Sequence, residues 1–178
     1  MGYSEAGKYM DVLSHIFNHY SRCNKFINAA MLETIKQHDI FNKPVSGHYK
    51  SINDILFHIL DVDVSWIHDL REIIHSKIYE EEIFKTYDEN SYENPYKNVS
   101  DFERDRMRLD DLLIEFTAGL SARELEKTIL YKNTKTKRAW EVLIHTFNHQ
   151  THHRGQISQI LDENGIANDF SNMIRIEI

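Results

Sequence analysis

Four stretches of this chain repeat apolar residues at steps of three and four, with few helix breakers inside them. No other feature constrains the fold as much, because such spacing gathers apolar side chains on one face of an α-helix. The first stretch covers roughly 7 to 37. Met10, Leu13, Phe17, Tyr20, Asn24, Ile27 and Met31 share its register, with Ile16 and Cys23 beside them. Pro44 and Gly47 in FNKPVSGHYK end it. The second starts near Ser51, where Asp54 three residues on gives a capping-box signature. Its stripe is Ile52, Ile55, Leu56, Ile59, Trp66, Ile67, Leu70 and Ile74, and the pattern runs to about 77. Ser100 and Glu103 make another capping box, opening a third helix to about Ala118 with Gly119 as its C′ residue. The fourth runs from about Lys137 to Asn164 and stops at Gly165.

The connections differ in character. KIYEEEIFKTYDENSYENPYKNV, between the second and third helices, is charged, tyrosine-rich and carries Pro95. It reads as an irregular crossover with one short helix. Before the fourth helix, LEKTILYKNTKTKRA holds the β-branched and aromatic run Thr128 to Tyr131, then polar turn residues, and predicts a small hairpin or extended loop. Only 2 prolines and 6 glycines occur in 178 residues, a length that suits one sizeable core. The expected fold is all-α, a four-helix bundle in one domain spanning 1–178, with a long crossover between helices 2 and 3 and a small extended hairpin before helix 4.

Composition excludes several classes. A net charge of -7 disfavours a large phosphate-binding face, so no nucleic acid is expected as partner. No apolar run approaches the roughly 18 residues that span a bilayer, so no membrane is expected either. MGYSEAGKYM lacks the basic and apolar regions of a signal peptide, and Ala6 breaks the myristoylation pattern. The single cysteine, Cys23, has no partner for an internal disulfide, which fits a reducing cytoplasm. In that compartment the sequon at Asn98 to Ser100 is chance.

HTFNHQTHHRGQ, residues 145 to 156, carries the chemistry. His145, His149 and His153 are spaced four apart, and on a helical wheel they share a stripe with Val142, Gln156 and Ile160, which predicts a core-facing column of imidazoles. Each buried ring nitrogen left unmet costs roughly 1–3 kcal/mol, and a metal ion relieves much of that. Histidines at i and i+4 stand about 6 Å apart along the axis and can converge on one ion, whereas the outer two of the column lie about 12 Å apart. This helix therefore offers two ligands, and another helix must give the third. His15 and His19 lie away from the first helix's stripe and read as surface residues. His68 and His75 are off the second helix's stripe. His58, flanking it beside Ile55 and Val62, is the best-placed candidate. Asp63 sits in the middle of the same stripe and needs a partner. It is either an acceptor for an imidazole N–H or one half of a salt bridge to a neighbouring helix.

SINDILFHILDVDVSWI and HTFNHQTHHRGQI resemble the two signature segments of the DinB family, the damage-inducible group of metal enzymes and not the polymerase sharing that name. The first pattern falls on Ser51, His58, Asp63 and Trp66, the second on His149, His153, Arg154, Gly155 and Gln156. Phe17, Asn18 and Tyr20 resemble the family's aromatic start, with His19 in a variable slot. TILYKNTKTK is similar to its hairpin, without the usual glycine in the turn. The resemblance implies one divalent ion (Zn, Ni or Fe, which imidazole suits) held by His58, His149 and His153. It leaves His145 one turn above, lining a pocket or hydrogen-bonding structurally. It also implies a homodimer.

Three neutral imidazoles leave open positions on an ion, which can activate a bound water or thiol. Thr146 and Gln150 follow the first two histidines of the column, so no HExxH glutamate supplies a base. The expected function is therefore a metal-dependent enzyme acting on a small-molecule substrate, an S-transferase or hydrolase in stress or detoxification, possessing no assigned catalytic side chain. Relatives that use a low-molecular-weight thiol point the same way. The alternative is a non-catalytic, metal-stabilised bundle that binds a ligand or partner. Arg154 either anchors a carboxylate or forms a salt bridge across the bundle. Gln156 either touches the site or satisfies a buried polar group.

Overall fold

A computed structural model describes residues 5–88, 93–131 and 134–177. The side chains of residues 5–11, Met10 among them, and part of the crossover (89–92) lie outside the described parts, as do the hairpin's turn residues 132 and 133. The chain is mostly helical. Four long helices, α1 (Glu5–Gln37), α2 (Ile52–Asp69), α4 (Val99–Gly119) and α6 (Ala139–Glu163), are joined by the short helices α3 (Glu82–Lys85) and α5 (Ala122–Leu125). Strands β1 (Thr128–Tyr131) and β2 (Lys135–Arg138) form an antiparallel hairpin with Thr128 opposite Arg138 and Tyr131 opposite Lys135. No helix is long and apolar enough to cross a membrane among the described residues.

α1 packs along α4, and α2 along α6, with α2 also touching α4. Leu32, Ile35, Ile52, Ile67, Phe102, Leu109, Leu143 and Leu161 are fully buried between them. Polar ties cross the α1–α4 seam. Asn18 donates to the Ile114 carbonyl at 3.0 Å, and Lys36 pairs with Glu103 at 2.9 Å. α1 and α6 end in the same way. The amides of Asp39 and Ile40 bond back to Lys36 and Ile35, and those of Gly165 and Ile166 to Asp162 and Leu161. Such a stop needs a left-handed residue, supplied by Gly165 at φ 70° and, without glycine, by Asp39 at φ 48°.

Three boundaries differ from the sequence reading. α2 stops at Asp69 and not near 77. A 3-10 turn over Leu70–Glu72 follows, which still keeps Leu70 and Ile74 inside. α4 is capped by Asn98, whose side chain accepts from the Asp101 amide, and not by Ser100. Gly119 is the last residue of α4 and not a C′ residue, since Leu120 caps in an extended conformation. Among its described residues, the segment between α2 and α4 contains one short α-helix, α3, after a 3-10 turn at Lys77–Glu80. The hairpin runs straight into α6, the Ala139 amide donating to the Lys127 carbonyl at 2.9 Å.

Candidate metal centre

Ser51 starts α2 by accepting from the Asp54 amide at 3.1 Å, and Asp54 in turn accepts from Lys50 and not from Ser51. Two turns on, this places His58 on the flank of the buried face. Glu141 accepts the Arg138 amide at 2.9 Å to start α6, whose middle carries His149 and His153. Where α2 and α6 pack, the three imidazoles converge. Their ring centres are 4.9, 4.7 and 4.4 Å apart. Nε2 of His149 stands 3.1 Å from Nε2 of His58 and 3.0 Å from Nε2 of His153. One ligand atom from each of the three lies within 4.8 Å of the others, and no other such cluster of His, Cys, Asp or Glu occurs among the described residues.

Burial first, then the neighbouring rings, holds His149 down to about 3 and His58 to about 4, with His153 also lowered by its burial. All three are therefore neutral near pH 7. Gln156 sets one tautomer. Its carbonyl oxygen can only accept, so Nδ1 of His153 donates to it at 2.8 Å and Nε2 is left with a bare lone pair. The buried Nδ1 of His149 has no hydrogen-bond partner among the described residues. Neutral imidazole nitrogens at this separation, one of them bare, form a donor set that suits a divalent cation.

The column is not the core stripe of α6. Leu143, Thr146, Phe147, Gln150, Arg154, Ile157 and Leu161 are its buried side, while of the predicted stripe Val142 and His153 are buried, His149 is half-buried and His145 exposed. The column runs along the edge of that face, where a site can meet solvent. His15 and His19 are exposed, as expected for surface residues, and His75 is exposed too. Asp63 is wholly buried and takes the salt-bridge reading. Its Oδ2 accepts from Arg106 at 2.7 Å and from Gln150 at 2.9 Å, and neither oxygen bonds an imidazole. Arg154 is buried and donates to Gln150 and Thr151, so the salt bridge expected of it is not made directly.

Several contributors escape a sequence reading. Arg106 and Asp110 sit in DRMRLDD, which resembles a solvated charge run, yet both are buried and paired at 2.6 Å. Their register with Phe102, Leu109 and Leu113 was the available signal. His48 and Tyr49 lie in the breaker segment between α1 and α2, where no periodicity points to them. Tyr49 packs against His58 and His153 at 5.4 and 5.7 Å, and His48 packs edge-on to Tyr49. These two, with His152 and Gln156, line a cavity of about 440 Å³ beside His153.

The DinB family model matches residues 8–175. No curated protein matches the sequence closely.

Proposed function

The chain belongs to the DinB family, and we propose that it is a metal-dependent enzyme holding one divalent ion, Zn, Ni or Fe, on His58, His149 and His153. The observation that carries this is the convergence of three neutral imidazoles from two helices at the edge of the buried face. In this reading the four long helices are a bundle of the DinB type, and the 3-10 and α3 segments are its crossover.

A bound ion would supply Lewis acidity, lowering the pKa of a bound water or small thiol. The chain supplies the rest. Three ligands from two rigid helices fix the donor atoms, and Gln156 keeps the His153 lone pair turned toward them. No fourth His, Cys, Asp or Glu atom joins the cluster among the described residues, which supports an open site over a closed structural one. The cavity lined by His48, Tyr49 and Gln156 offers a small substrate an approach. Thr146 and Gln150, which follow the first two histidines of the column, are buried and hydrogen-bonded elsewhere, so neither stands in for the glutamate of an HExxH pair. These features fit an S-transferase or hydrolase that activates a low-molecular-weight thiol or water, in stress or detoxification, and a homodimer of twice 21.2 kDa belongs to the same reading.

Elemental analysis of untagged protein tests it, together with titration of alanine variants. One equivalent of ion is expected, weakened at least about tenfold by His58→Ala, His149→Ala or His153→Ala. His145→Ala, His15→Ala and His19→Ala should keep it. Loss of the ion through His145→Ala with His58→Ala intact would overturn the assignment. Light scattering reads the dimer.

A further inference from the structure

Both tryptophans of the chain line one cavity of about 400 Å³. Trp66 comes from α2 and Trp140 from the first turn of α6, and each is only half-buried. Tyr131, the last residue of β1, lies 5.2 Å from Trp66 with the ring planes tilted by 35°. His145 forms the end nearest the three histidines. It stands edge-on to Trp66 at 5.1 Å, and its ring is 6.1 Å from that of His149. The cavity is thus one imidazole away from the three-histidine cluster, on the side opposite Gln156.

Four π faces left partly in water on a concave wall gain most from a flat, apolar occupant. The volume is that of a small-molecule site. The charges narrow the class further. Lys137 and Glu141 are the only charged residues of this wall among those described, and they pair with each other at 3.3 Å. Glu141 also accepts the Arg138 amide. Neither is left to hold an ionic ligand, and the net charge of -7 does not favour an anion.

We propose that this cavity binds a neutral, flat aromatic ring between Trp66, Trp140 and Tyr131, and directs that molecule's reacting substituent past His145 toward the cluster. The ring site stands on its own residues. The direction toward an ion rests on the metal-centre reading above.

The two indole N–H signals of ¹⁵N-labelled protein report the cavity directly. 2-Naphthol should shift both, saturating at about 0.1–1 mM, with or without added metal. Cyclohexanol, which has no π face, and naphthalene-2-sulfonate, which is charged, should each bind at least about tenfold more weakly. Tyr131→Leu should weaken 2-naphthol about threefold to tenfold, and Tyr131→Phe should not. Failure to shift either indole at about 5 mM overturns the ring site. Equal binding of cyclohexanol overturns its aromatic character, and tighter binding of the sulfonate overturns its neutrality. Loading with Co²⁺ tests direction, since a paramagnetic ion on the cluster should speed the relaxation of bound naphthol protons. Co²⁺ bound by the three histidines without that effect overturns the approach to the cluster. Co²⁺ that fails to bind removes the metal centre and the approach together, while the ring site survives.

Discussion

The side-chain carbonyl of Gln156 accepts a hydrogen bond from Nδ1 of His153 at 2.8 Å. The amide is oriented from its other end, where Nε2 of Gln156 meets Nε2 of His152 at 3.3 Å. A residue one turn from a proposed ligand thus decides which nitrogen of that imidazole is bare. Outer partners of this kind are typically worth about 10–100-fold in metal affinity. Gln156→Leu should therefore weaken the ion at least about tenfold in a chelator-competition titration, and Gln156→Glu, which keeps the acceptor, should not. Equal affinity of the leucine variant and the unaltered chain would show that the tautomer is set by something else.

The lowered histidines make the metal-free protein acid-sensitive. Unfolded histidine takes its proton near 6.5, whereas folded His58 resists to about 4 and His149 to about 3. Between those values the unfolded chain binds more protons, so stability falls as pH drops from about 6.5 toward 4. Asp63 works in the opposite sense. Burial outweighs Arg106 and raises its carboxyl to about 6, so its contribution declines as pH rises from about 4 to 6. Three imidazoles outweigh one carboxyl. Thermal melts of metal-free protein should be flat above about pH 7 and lose midpoint below 6.5, with a shallower loss in His58→Leu. A midpoint that rises on acidification would contradict this.

Gly165 closes α6 at φ 70°, and a Cβ placed there meets nothing within 4 Å. The strain of a side chain is then purely conformational. Gly165→Ala should destabilise by about 1–2 kcal/mol in urea unfolding, and leave metal affinity unchanged because the cluster lies three turns away.

The helices and the trio were legible because both rest on local spacing. Apolar steps of three and four locate α1, α4, α6 and the start of α2 to within a few residues, and His149 and His153 announce themselves by an interval of four. What the wheel could not decide was which of two adjacent stripes of α6 faces inward. Thr146, Gln150 and Arg154 look like a solvated face, yet all three are buried, Gln150 reaching Asp63 on α2, Arg154 bonding Gln150 and Thr146 the Val142 carbonyl. That choice depends on partners far away in sequence. The same applies to Tyr49, whose place beside His58 follows from the packing of a loop and not from any repeat. The end of α2 misled for another reason. Ile74 stays buried through a 3-10 turn, so the apolar period outlasts the α-helix.

Arg106 is the hinge of the buried polar layer. It is fully enclosed and holds Asp63 with one Nη and Asp110 with the other, at 2.7 and 2.6 Å, while Asn28 also donates to Asp110. Arg106→Met would leave two carboxylates in the interior with no direct counter-charge, and breaking a buried pair in this way typically costs about 3–5 kcal/mol. Asp63→Asn removes less, because Asp110 still pairs with Arg106, and a loss of about 1–3 kcal/mol is expected. Urea unfolding at pH 7 should separate the two. Asp63→Asn also settles the other role open to this carboxylate. Its partners are Arg106 and Gln150 and no imidazole, so ion affinity in this variant should stay within about threefold of the unaltered chain. A tenfold loss would mean that Asp63 orients the ligands after all, acting through Gln150 and the turn of α6 that bears His149.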